Sequence, residues 1–203
     1  MSLRPAHGTR AGLFAGLIVG LVLATIGLPE AQASPSASGA RATACAVTPA
    51  KVKPRRAAIP ALGRATYKVV KVKRKHGEIG TPPTTKAGKR LVGWDPHKRP
   101  GSGVGSVVID AHTWPDGSAL GNKMLKKLRR GDVVVLTDGR GHGVCYRIRS
   151  RHSYSRNRIP AVKIFRTWGK EQLAIVVCSG KRLGPGNWLR RTVWIGVPTA
   201  ARA

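Results

Sequence analysis

Three residues in this chain have side chains suited to acyl transfer, and each lies at or near an apolar run. Cys178 closes the run 173–178, His112 follows the run 107–111, and Arg191 lies in Trp188-Leu-Arg-Arg191-Thr-Val-Trp194. A thiol attacks a carbonyl as its thiolate, and cysteine ionises more readily than serine or threonine, so it needs little activation. A departing amine must be protonated, and histidine is the side chain whose ordinary pKa lies near neutrality. A tetrahedral oxyanion needs a fixed cationic donor, and arginine keeps its charge and presents a rigid fork of N–H groups. The adjacent Arg190 is the substitute for Arg191, because neighbours on one strand point to opposite faces. Counting along Trp188-x-x-Arg favours Arg191, on the face of Val193 and Ile195.

Other residues of the same types have plainer readings. A cysteine at the end of a buried strand is usually a small inert apolar residue. His142 sits in Asp138-Gly-Arg-Gly-His-Gly, a hairpin-turn pattern between two apolar runs, and His152 lies among Arg147, Arg149, Arg151 and Arg156, which read as a solvated strand edge. Neither follows a buried strand as His112 does. Cys45, Cys145 and Cys178 lack the close paired spacing of a metal set, and the eight acidic residues are scattered, so no metal and no cofactor is expected. Cys45 and Cys145 could pair in an oxidising compartment, which would leave Cys178 available.

These side chains need a scaffold, and the chain supplies short β-branched runs at 66–72, 104–109, 133–136, 144–148, 161–165, 173–178 and 192–197, separated by Gly, Pro and Asp turn signals. That pattern predicts a mainly β fold, a closed antiparallel or mixed barrel. One helix is expected over 119–130, where Leu120, Met124, Leu125 and Leu128 share a side opposite lysines and arginines.

Several segments together resemble the sortases. Ile59-Pro60 and Gly80-Thr-Pro-Pro83 resemble that family's first strand and the turn after its second. Pro100-Gly-Ser-Gly-Val-Gly-Ser-Val-Val-Ile-Asp-Ala-His112-Thr113 resembles its PG-x-x-G-x-x-x-x-x-GHT segment. Leu125-Lys-Lys-Leu-Arg-Arg-Gly-Asp132 resembles L-x-x-L-x-x-GD, Val176-Val-Cys178 the nucleophile strand, and 188–194 the last strand. Two positions depart from the family pattern: Ala111 stands where glycine is usual and Val177 where threonine is usual. The resemblance implies a sortase-like β-barrel with one or two short helices over 57–203. It implies Cys178 as nucleophile, His112 as proton carrier and Arg191 as oxyanion stabiliser.

The resemblance, closest to the smaller actinobacterial class F or class E sortases, further implies cleavage of an LPxTG-like sorting signal through a thioacyl-enzyme. The expected partners are secreted proteins bearing such C-terminal signals and an amine acceptor such as a peptidoglycan precursor. Two other readings remain open: a noncatalytic basic envelope-binding module on the same barrel, and an L,D-transpeptidase-type enzyme. The compact cysteine signature of the latter is absent around Cys178-Ser-Gly-Lys181.

Ahead of the barrel the sequence reads as a leader. Residues 1–10 form a basic, cytoplasmic start containing Arg4 and Arg10, and the eighteen residues 11–28 carry no charge. That length is just enough for an N-terminal hydrophobic helix to span a bilayer as a signal anchor, with the rest of the chain outside the cytoplasm. Ala31-Gln-Ala33 is a pattern that signal peptidase could cut, giving a secreted form. Residues 29–56, rich in Ala, Pro, Ser and basic residues, read as a flexible linker. The net charge of +29 would by itself suggest nucleic acid. With a leader and no nucleic-acid motif, the expected partner is instead an anionic membrane or wall surface, with no nucleic acid.

Overall fold

The computed structural model describes residues 47–63, 66–75 and 78–199. The expected N-terminal hydrophobic helix over 11–28 and Cys45 lie outside them. In chain order the elements are β1 (Thr48–Pro49), β2 (Arg56–Ala58), β3 (Thr66–Lys71), β4 (Arg74–Lys75), β5 (Glu78–Ile79), β6 (Val92–Asp95) and β7 (Ser106–Ala111). Then come α1 (Leu120–Lys127), β8 (Val133–Thr137), β9 (His142–Ser155), α2 (Ala161–Ile164), β10 (Gln172–Gly184) and β11 (Asn187–Thr199).

Eight of the strands close on themselves in the order β8, β2, β3, β6, β7, β10, β11, β9, and β9 returns to β8. The barrel is mixed: β3 with β6 and β7 with β10 run parallel, and the other pairs in the ring are antiparallel. Closure removes free edges, which short strands of this kind would otherwise expose. β1 adds in parallel to β9, and Val52 N–H donates to the Pro100 carbonyl at 3.0 Å, so the tail of the expected linker lies along the barrel.

The interior is filled by alternate residues of each strand, among them Ile109, Ile148, Leu173, Ile175 and Trp194, with Met124 and Leu128 capping it from α1. α1 is shorter than the expected 119–130. Leu128 turns extended, at φ −73° and ψ 124°, while its side chain remains fully buried, and its carbonyl accepts from Trp194 Nε1 at 3.2 Å.

The segment 161–165, expected as a strand, is the helical turn α2. Pro160 presets the backbone at φ −73° and its carbonyl accepts from Lys163 and Ile164 N–H. Ile164 then lies over Val108, Ala174 and Val193 on the outside of the barrel. β7 is consequently buried on both faces.

The Gly-rich turn before β7 is held by one carboxylate. Glu171 accepts from Gly101 N–H at 3.0 Å, Gly103 N–H at 2.6 Å, Ser102 Oγ at 3.2 Å and Tyr146 Oη at 2.6 Å. Gly101 and Gly103 adopt φ of 79° and 76°, which side chains resist, and a Cβ on Gly101 would lie 2.4 Å from the Ala50 carbonyl oxygen. The PG-x-x-G pattern is therefore a nest of N–H groups for Glu171, which in turn fixes where β7 starts relative to β10.

Candidate active site

Strand register brings two of the three sequence-selected residues into direct pairing and the third beside them. Cys178 on β10 pairs with Arg191 on β11, and Ala111 at the end of β7 pairs with Val177. One residue further along, His112 comes alongside Cys178. Residues aligned across neighbouring strands share a face, so imidazole, thiol and guanidinium leave the outer face of the barrel in one row. Val177 takes the inner face, 1% exposed in the core with Ala111. The two departures from the family pattern thus pack against barrel interior and do not flank the thiol.

Register also separates the adjacent arginines. Arg190 turns to the other face, where Nε donates to Ser153 Oγ at 2.9 Å and Nη2 to the Ser153 carbonyl at 2.6 Å. Arg191 stays on the thiol's side, its Nη1 donating to the carbonyls of Trp188 at 3.1 Å and Arg190 at 3.0 Å.

Two further hydrogen bonds orient the row. Thr113 Oγ1 donates to the Cys178 carbonyl at 2.6 Å, locking β10 to the residue after His112. His112 Nε2 lies 2.7 Å from the Pro82 carbonyl oxygen. A carbonyl only accepts, so Nε2 carries the hydrogen and a neutral ring keeps its lone pair on Nδ1.

The electrostatics set thiol against burial. Burial pushes the Cys178 thiol up, the charges of Arg191 and Arg156 pull it down, and Asp110 pushes it up again. Asp110, on the same face of β7 as His112, is itself pushed up to about 8 by burial. Among the described residues no three His, Cys, Asp or Glu side chains are placed to share a metal ion.

The sequence model of the family described as "Sortase domain" matches residues 58–198. The chain belongs to the sortase family. Its fold is similar to sortase A from Corynebacterium diphtheriae, at 13% identity and a TM-score of 0.54, covering 74% of this chain and 62% of that one. It is similar also to sortase C-1 from Actinomyces oris, at 15% identity and a TM-score of 0.53, covering 73% and 74%. No curated protein sequence matches the chain.

In this sortase domain the row opens onto an apolar surface. Half-buried Val176 lies in its floor, with Ile79, Tyr154, Ile159 and Phe165 in the same apolar cluster. An apolar cavity of about 730 Å³ lies elsewhere, lined by Val47, Cys145 and Val197, whereas a second of about 720 Å³ is lined by Ile79 and Pro82, the residue whose carbonyl His112 contacts. His142 is at the β8–β9 turn, 3.0 Å from Asp138, and exposed His152 pairs with Val193 on β9, so neither adjoins Cys178 as His112 does.

Four contributors escaped the sequence reading. Asp110 and Thr113 were visible only as letters in a motif, Arg156 as one of several basic residues, and the Pro82 carbonyl as backbone. Their signal is spatial, carried by register and by loop return.

Proposed function

We propose that this sortase is a cysteine transpeptidase that cleaves an LPxTG-like sorting signal and transfers the acyl group to an amine of the cell envelope. The observation that carries this reading is the Cys178–Arg191 pairing with His112 alongside. Cys178 as thiolate attacks the carbonyl of the threonine, forming the C–S bond. Arg191 steadies the oxyanion from the neighbouring position. The intermediate collapses as His112 delivers a proton to the departing glycine amine, leaving a thioester on Cys178. An incoming amine then attacks the thioester, His112 takes its proton, and the thiol is regenerated.

The raised thiol and the Pro82 hydrogen bond bear on how the proton moves. A thiol held above its usual range is largely protonated at rest, and a neutral imidazole with Nε2–H held by Pro82 accepts at Nδ1. Only a minor fraction of enzyme then carries the reactive thiolate, and turnover rises with pH while that fraction grows.

The half-buried Val176 and the rings of Tyr154 and Phe165 near it suit an extended peptide with apolar side chains near its scissile bond. We read residues 11–28 as the segment that tethers the enzyme outside the cytoplasm, and the surplus of cations as its affinity for anionic envelope polymers. The test is incubation of the full chain with an LPxTG-type peptide and an excess of a small amine. The expected result is threonine–glycine cleavage with an amine adduct on the threonine. Cleavage at other bonds, or no reaction across a peptide library, contradicts the reading.

A further inference from the structure

Asp110 is a buried acid beside the nucleophile that the transfer chemistry leaves unused. It is 8% exposed, and its Oδ1 is buried with no hydrogen-bond partner. The seat exists because the paired residue on β6 is Gly93: a Cβ there would lie 1.9 Å from Oδ1 and 2.9 Å from Val72 Cγ1. His112 follows two residues on, and Asp110 pairs with Val176, so Cys178 is its diagonal neighbour. Strand spacing puts the two backbones about 8 Å apart.

The surroundings offer the carboxyl no compensating charge. On β6 the nearest ionisable side chain is Asp95, which is bound by Arg74. Lys71 and Lys73 flank Val72 and are exposed. Across β10 lie Val176 and the thiol, on β7 His112, and further off Arg191 and Arg156, whose charges act on Cys178. An uncompensated carboxylate at such depth is disfavoured against its neutral acid. Loss of its proton puts a negative charge in the field of the atom that must itself become negative.

We propose that Asp110 is a positioning residue that acts through Cys178: as a neutral acid it leaves thiolate formation open, and as a carboxylate it holds Cys178 in the thiol form. The enzyme thereby carries its own alkaline brake, set by the seat over Gly93. This inference names a regulation of the same site and rests on Cys178 being the working thiol, but its test needs no sorting signal, so failure of the peptide assay leaves it standing.

The test is the pH dependence of Cys178 alkylation by iodoacetamide in the full chain, followed by mass spectrometry of the peptide containing residue 178. The native chain and Asp110→Asn are expected to react alike at pH 6. Above pH 8.5 Asp110→Asn is expected to react roughly tenfold faster, the effect of removing one charge at that separation. Profiles that superimpose through pH 9.5 overturn the proposal. A second measurement needs no variant: the side-chain carboxyl carbon signals of the five aspartates in the native chain, followed by NMR across pH. One is expected to titrate near the value of about 8 that burial gives Asp110. Titration of every aspartate below pH 6 overturns it.

Discussion

Two buried acids, Glu171 and Asp110, sit on or beside neighbouring strands of one barrel and are treated in opposite ways. Glu171, 6% exposed, accepts four hydrogen bonds at the end where the Gly-rich turn feeds β7. Asp110, 8% exposed, has an orphaned oxygen at the end where Cys178 and His112 emerge. Burial with satisfaction makes a clamp, and burial together with the charge of Glu171 pushes the Tyr146 hydroxyl up, so that it remains a donor. Burial without satisfaction makes a titrating group whose effect falls on its neighbour. The difference separates an end of the barrel held by a satisfied carboxylate from the end that carries the proposed active site.

The sharpest way to break that division is to remove side chains at the two ends and read activity and stability separately. Cys178→Ala is expected to lower peptide cleavage by roughly a thousandfold or more with an unchanged circular dichroism spectrum. Cys145→Ala, buried on β9 beside Val135 and Val47, is expected to keep turnover within a few fold. If the two results were exchanged, the chemical end would be misplaced.

Next in size is the arginine pair. Arg191→Ala is expected to reduce kcat by roughly a hundredfold, as loss of an oxyanion donor does elsewhere. Arg190→Ala removes contacts to Ser153 and is expected to cost less than tenfold. Steady-state kinetics of both variants on one peptide checks the ordering.

At the clamp end, Glu171→Ala leaves two N–H groups and a buried hydroxyl unpaired, and is expected to destabilise the domain by about 3 kcal/mol. Urea denaturation measures it. The loss should be accompanied by weaker protection of the amides of Gly101 and Gly103 against hydrogen exchange.

The smallest effect has the opposite sign. Asp110 has a folded pKa of about 8 against an ordinary value of 3.8. Its contribution to stability is complete below the unfolded value and is lost as pH rises from about 4 to about 8. Asp110→Asn removes that loss but buries an amide in a seat with no matching partner, so a net gain on the order of 1 kcal/mol at pH 8 is expected. Thermal unfolding of both chains from pH 4 to pH 8 should show their midpoints diverging toward the alkaline end. Parallel curves would place Asp110 with Glu171 as a plain structural acid.

The candidate site was easier to read in the sequence than its surroundings were. Cys178 and His112 each follow an apolar run, so residue type and local pattern sufficed to select them, and the turn signals around those runs announced a β-barrel. Arg191 was distinguishable from Arg190 only by counting along the strand, and its pairing with Cys178 now gives that count a physical basis. The second half of β9 was legible as a solvated strand edge from its arginines around His152, but its length and partner come only from its pairing with β11. The helical turn α2 was hidden by Val162, Ile164 and Phe165, whose types favour strands until Pro160 sets the backbone. Asp110 offered no signal at all, since an acid inside Val107-Val-Ile-Asp-Ala looks like an outward residue of an alternating strand. Its burial comes from Gly93 opposite and from the cover over β7, both long-range facts.

In the proposed reaction the sulfur of Cys178 carries the acyl group between donor and acceptor. Mixing the full chain with an LPxTG-type peptide in the absence of added amine, quenching in acid and digesting for mass spectrometry tests it directly. The peptide containing residue 178 is expected to gain the mass of the acyl fragment ending in threonine, and the gain is expected to vanish on adding amine. Peptide cleavage with that segment unmodified at every quench time, or cleavage undiminished in Cys178→Ala, would contradict it.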